Sequence, residues 1–177
     1  MDGPQVKWTV NDLFADSSPE TFMTYHVMGA GWDFGAPAGC VLGGILGIVW
    51  RPMPLMPMMG TGGLALGCLG MAGGLAGMQQ AISKGDEAKP LPWNEDGVQM
   101  RVNGLQHNYM VRIFDKCSWI GLSTAALAVA IARPRGLGLS SGFLGVGQAL
   151  ALGSSLGGAV AAGLTFQSKQ LPKDDVV

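Results

Sequence analysis

Charge is scarce in this chain. Only 13 % of its 177 residues are Asp, Glu, Lys or Arg, about half of the ~25 % usual in soluble domains, so there is too little polar surface to coat a water-soluble fold. Eleven basic and twelve acidic side chains leave a net charge of −1, which excludes the basic face that nucleic acid requires. Ligands for a metal are also few: two histidines, His26 and His107, and three cysteines, Cys40, Cys68 and Cys117, with no C-x-x-C pair. Too few of them converge for a metal centre. No phosphate-binding G-x-x-x-x-G-K-[ST] occurs, and the glycines at Gly60, Gly62 and Gly63 open no strand–helix unit. No serine has a His and an Asp partner within helical reach. The apolar stretches lack the run of acids, bases or histidines that an ion path needs. Nothing here makes an active site.

What the chain has in quantity is glycine and hydrocarbon. Hydrophobic residues make up 48 %, there are 29 glycines, more than twice the ~7 % average share, and the mean hydropathy is +0.30. Glycine recurs every fourth residue at Gly31, Gly35, Gly39, Gly43 and Gly47. In a soluble helix each would cost about 1 kcal/mol relative to alanine. In a bilayer the backbone has no other partner than itself, and a period-four glycine row becomes a groove for a neighbouring helix.

The fold class expected is an all-α membrane protein: four transmembrane helices in two Gly/Ala-rich antiparallel hairpins. The spans are read at about 27–50, 58–81, 113–132 and 139–166, together a domain over residues 23–166. A polar N-terminal tail (1–22), a polar loop (82–112) and a polar C-terminal tail (167–177) complete the chain. The tail carries Asp2, Asp12, Asp16 and Glu20 against Lys7, which is neither a basic presequence nor a secretory signal. Pro52, Pro54 and Pro57 force a tight turn between the first two spans, and Pro37 is expected to kink the first. Asp33 is read as an interfacial carboxylate, solvated or capping, with a buried ion-pairing role as the sharper alternative. Gln148, the only strongly polar side chain in the last span, is read as a hydrogen bond to a neighbouring helix.

The last span repeats the opening device, with Ser141, Gly145, Ala149, Gly153, Gly157 and Ala161 at period four. That row offers the first ladder a partner within the same chain; the other use is a smooth surface for a foreign subunit. Helix packing is therefore assigned to Gly31, Gly35, Gly39, Gly43, Gly47, Gly145, Gly153 and Gly157. Arg51, Arg133 and Arg135 stand in the short connectors without any acid. They are candidate contacts for lipid head groups, and their density places the connectors weakly on the inner side.

The polar middle of the chain carries Gly85–Asp86–Glu87–Ala88–Lys89–Pro90 and, just before the third span, His107–Asn108–Tyr109. With the four-span layout, these elements resemble the mitochondrial Tim superfamily, and within it the branch that serves as an accessory subunit of respiratory complex I. Arg101 is followed by Val102–Asn103–Gly104, and Trp119–Ile120–Gly121 offers a single glycine, a departure from the import-channel pattern. The resemblance implies a non-catalytic subunit of NADH:ubiquinone oxidoreductase in the mitochondrial inner membrane. It further implies termini in the intermembrane space, other membrane-arm subunits and complex III as partners, no cofactor of its own, and structural cardiolipin at its edges. A translocase subunit of the same superfamily is the alternative, and a small-solute transporter a weaker one.

Overall fold

The structure is a computed structural model, in which residues 17–50, 54–84, 93–106 and 108–170 are described. It is all-helical there. Helix α1 spans Pro19–Val49, α2 Leu55–Lys84, α3 Glu95–Gln106, α4 Tyr109–Gly136 and α5 Gly142–Gln170. All but α3 are long and apolar enough to cross a bilayer, and the chain is read as a multi-pass membrane protein. The distribution of side chains fits that environment. Apart from Phe22 at the start of α1, the fully buried positions hold small or polar groups such as Ala36, Ala151, Ala161, Ser154 and Gln148, whereas Phe143, Phe34 and Ile131 stand 96 %, 78 % and 76 % exposed. In water such an arrangement would forfeit the hydrophobic effect; in lipid the large apolar groups face their solvent and the small ones set how close the helices come.

Helices α1 and α2 form an antiparallel hairpin in which backbone lies on backbone. A Cβ placed on Gly31, Gly35, Gly39 or Gly43 would run into the carbonyl of Gly70, Leu66, Gly62 or Met58 respectively, and Gly47 faces Met58 and Leu55. The first ladder is thus filled by α2, the other arm of its own hairpin, and not by the row in the last span that the sequence offers as a candidate partner. Only one side of such a contact has to be glycine. On α2 the matching positions include Leu66 and Met58, which meet Gly35 and Gly43 through their backbone carbonyls. Contacts of this kind bring Cα–H groups to carbonyl oxygens, worth about 0.5–1 kcal/mol each.

The second hairpin closes in the same way. Gly153 meets Gly121, and Gly157 meets the carbonyl of Cys117, all between α4 and α5. Gly145 does something else: its neighbours are the Ser140 carbonyl and Pro134, in the turn that joins the two helices. That turn begins at Arg133, which leaves helical geometry at φ 54°, ψ 159°, because the following Pro134 disfavours the helical region at the residue before it. The two hairpins then pack through α2 against α5 and α1 against α5.

Two features differ from the sequence reading. Helix α1 starts at Pro19, inside the stretch read as a tail, with Ser18 capping it by accepting from the Thr21 N–H. The polar loop contains a helix, α3, started by Asn94, whose side chain accepts from the Gly97 N–H at 2.9 Å. Val98 and Val102 of α3 are buried against Phe22 and Met23 at the start of α1, with Met78 and Trp93 alongside. Arg101 lies over the Trp93 ring at 4.3 Å from its centroid. This small cluster covers the end of the bundle where α1 begins and α2 finishes.

Candidate functional site

Two polar centres tie the hairpins together. The first is Gln148, 1 % exposed, on α5. Its amide nitrogen donates to the Thr61 hydroxyl at 2.8 Å, to the Ser140 hydroxyl at 3.1 Å and to the Pro57 carbonyl at 3.3 Å. Its oxygen accepts from the Ser140 N–H at 2.9 Å. One side chain thereby holds the start of α2, the turn before α5 and α5 itself. Gly60 makes room for it, since a Cβ there would lie 2.7 Å from the Gln148 Cβ. Gln148 does hydrogen-bond a neighbouring helix, and it binds its own turn as well.

The second centre lies nearer the opposite end, where α1, α4 and α5 meet. Ser118 of α4 donates to an Asp33 carboxylate oxygen at 2.6 Å. Trp32 donates its indole N–H to Ser154 at 2.8 Å, and Cys40 shares a 3.3 Å hydrogen bond with Ser155. These bonds join two levels of α1, at Trp32–Asp33 and two turns later at Cys40, with α4 and α5. Asp33 is thus tied to another helix inside the bundle, and the reading of a solvated or capping carboxylate is corrected. Pro37 has no N–H to offer the Asp33 carbonyl one turn before it, so backbone and side chain both present oxygen at this level.

Asp33, His26 and Asp115 form a wall shared by two cavities. The larger, about 590 Å³, opens between α1, α4 and α5, and apart from Ser155 the rest of its lining is apolar, with Phe34, Pro37 and Phe114. The smaller, about 190 Å³, lies between α1, α2 and α4 and adds Tyr25, Trp32 and Trp119. Among the described residues neither lining contains Lys or Arg. A third recess of about 430 Å³ runs along α4 and α5 over Gly121, Ala125 and Gly153. It ends beside Leu137 and Leu139, close in the chain to Arg133 and Arg135.

The remaining sequence-assigned residues are dispersed. Asn108 caps α4, its side chain accepting from the Met110 and Val111 N–H groups at 3.0 and 3.4 Å, and Tyr109 is the exposed first residue of that helix. His107, Arg51 and the stretch Gly85 to Pro90 lie outside the described residues. Arg133 and Arg135 are exposed at the end of α4. Among the described residues no group of three His, Cys, Asp or Glu converges to hold a metal. The junction at Asp33 was not foreseen as a unit; its components are separated by 85 residues for Asp33–Ser118 and 122 for Trp32–Ser154.

One face of α2 has no partner among the described residues. Gly73 and Gly77 have nothing within 4 Å of an added Cβ, and with Ala72, Ala76 and Gln80 they make an exposed small-residue strip. Compared with protein-family models, curated proteins and solved structures, the chain matches none.

Proposed function

We propose that this chain is a non-catalytic accessory subunit of mitochondrial complex I, embedded in the inner membrane with both termini in the intermembrane space, where it stabilises the membrane arm. The observation that carries a packing role is the strip of Ala72, Gly73, Ala76 and Gly77. It is a GxxxG face of the kind that admits another helix at close range, and it points outward while the other glycine rows are used up inside the hairpins. The resemblance at His107–Asn108–Tyr109 supplies the identity of the complex. The buried polar side chains support the same view, because among the described residues none lacks a hydrogen-bond partner. They serve to hold helices together. An anionic phospholipid such as cardiolipin fits the recess along α4 and α5, with its phosphate at Arg133 and Arg135. Contacts with complex III in supercomplexes belong to the same reading.

A second reading, a subunit of an inner-membrane translocase, is favoured by one observation: the open groove between α1, α4 and α5 with carboxylates in its wall. Mass spectrometry of native-gel bands from detergent-solubilised mitochondrial membranes separates the two. Stoichiometric co-migration with complex I subunits is the expected result, and Gly77→Leu should reduce it severalfold while leaving the isolated subunit folded. Migration with import machinery, or alone, would sink the first reading.

A further inference from the structure

We propose that the cavity between α1, α2 and α4 is a binding site for a small organic ammonium cation, with the Asp33 carboxylate as its charge anchor. The chemistry of the lining points that way. Three aromatic residues, Tyr25, Trp32 and Trp119, line the space together with Asp33, Asp115 and His26, and among the described residues no Lys or Arg takes part. Aromatic faces and carboxylates are the two groups that recognise an ammonium after it has left water, and quaternary ammonium groups in particular sit among aromatic rings. An anion would meet repulsion here, and a neutral apolar group would leave Asp33 with the Ser118 hydroxyl and no counter-charge.

Asp33 is the anchor for a specific reason. His26, Asp115 and Tyr25 are already engaged in contacts of their own, whereas the partner of Asp33 is the neutral Ser118 hydroxyl, bound to one carboxylate oxygen. An ionisable group within a membrane span marks a functional position when its partner is an ion or a ligand. Size narrows the ligand. At about 190 Å³ the space falls below the ~300 Å³ where pockets for drug-sized molecules begin, and suits a group such as trimethylammonium. Entry is from the larger cavity, which shares Asp33, His26 and Asp115 and opens between α1, α4 and α5 with apolar walls. An ammonium carrying a hydrocarbon tail can leave the tail there. The cation can therefore come as a free solute or as a lipid head group. This inference is independent of the respiratory assignment.

The test uses the full-length protein purified in dodecyl maltoside, whose head group carries no charge, and isothermal titration with choline chloride against a sodium chloride reference. Saturable choline binding is expected, with 3,3-dimethyl-1-butanol, its uncharged isostere, binding at least tenfold more weakly. Asp33→Asn keeps the shape and an acceptor for Ser118, and should weaken choline at least tenfold. Prior addition of phosphatidylcholine, but not phosphatidylglycerol, abolishes the choline signal if a head group is the natural occupant; an unchanged signal assigns the site to a free cation. Absence of saturable binding, equal binding of the isostere, or an unchanged affinity in a folded Asp33→Asn protein would overturn the proposal. Should that variant not fold, the comparison of choline with its isostere on the unaltered chain decides.

Discussion

Trp32 and Ser154, 122 residues apart, share a 2.8 Å hydrogen bond that joins the first hairpin to the second. The same indole ring covers Gly67 of its own hairpin, where a Cβ would lie 2.8 Å from the ring. One residue therefore serves both interfaces. Trp32→Phe keeps most of the ring and removes the donor. Hydrogen bonds between membrane helices average about 0.6 kcal/mol and reach about 1.7, so the expected loss of stability lies in that range. A double-mutant cycle with Ser154→Ala, read from unfolding in mixed micelles of sodium dodecyl sulfate and dodecyl maltoside, isolates the coupling. An additive cycle would show that the bond contributes nothing.

Gly39 and Gly77 should respond in opposite ways to the same change. At Gly39 any Cβ meets the Gly62 backbone, which cannot rotate aside as a side chain would, so Gly39→Leu forces α1 and α2 apart. Overpacking costs about 1–3 kcal/mol in well-packed interiors, and a backbone contact belongs at or above the upper end. At Gly77 the space is open, and Gly77→Leu should leave the stability of the isolated subunit within about 0.5 kcal/mol, the usual bound for surface changes. Equal destabilisation of both variants in the same micelle assay would contradict the packing described for α2.

Gln148→Leu removes the centre that holds the α2 start and the turn before α5. It orphans the Ser140 N–H and deprives Thr61 of its partner. A buried group left unsatisfied costs about 1–3 kcal/mol, so a loss of that size is expected. Amide hydrogen exchange should accelerate at residues 137–142 first. Unchanged exchange there would mean that the turn is held by Pro134 and its backbone bonds alone.

Helix α3 can be detached without harm to the spans. Val102 is 4 % exposed against Phe22, Met23 and Val98, and burying a valine contributes about 1.5–3 kcal/mol. Val102→Asp should therefore expose residues 95–106 to limited proteolysis, while the four long helices stay protected. Protection of α3 equal to that in the parent protein would show that the Arg101–Trp93 contact suffices to hold it.

The four spans were legible because hydropathy and prolines act locally, and the two glycine rows because a period of four is visible in one helix at a time. The partner of the first row was not. A search for matching small residues finds Gly145 to Gly157, yet the true counterpart contains Leu66 and Met58, because what Gly35 and Gly43 touch is a carbonyl and every residue has one. Helix α3 escaped notice among charges and prolines, although Asn94 as a cap and Val98, Val102 and Leu105 one turn apart mark a short amphipathic helix. The Asp33 centre had no such mark. Asp33 and Ser118 become neighbours only once both hairpins have formed and docked.

That each glycine row is matched within its own hairpin has a consequence for biogenesis. The closest backbone contacts of α1 and α2 are complete before α4 needs to exist, and those between α4 and α5 do not depend on the first pair. Among the described residues the side-chain hydrogen bonds between the hairpins are few: Gln148 to Thr61 and Pro57, Trp32 to Ser154, Asp33 to Ser118 and Cys40 to Ser155. The chain is in this sense divisible. Two polypeptides severed between α2 and α3 each keep the backbone-on-backbone seam of their own hairpin, and the packing of α5 on α1 and α2, these hydrogen bonds and the α3 cluster remain to be found by diffusion in the bilayer.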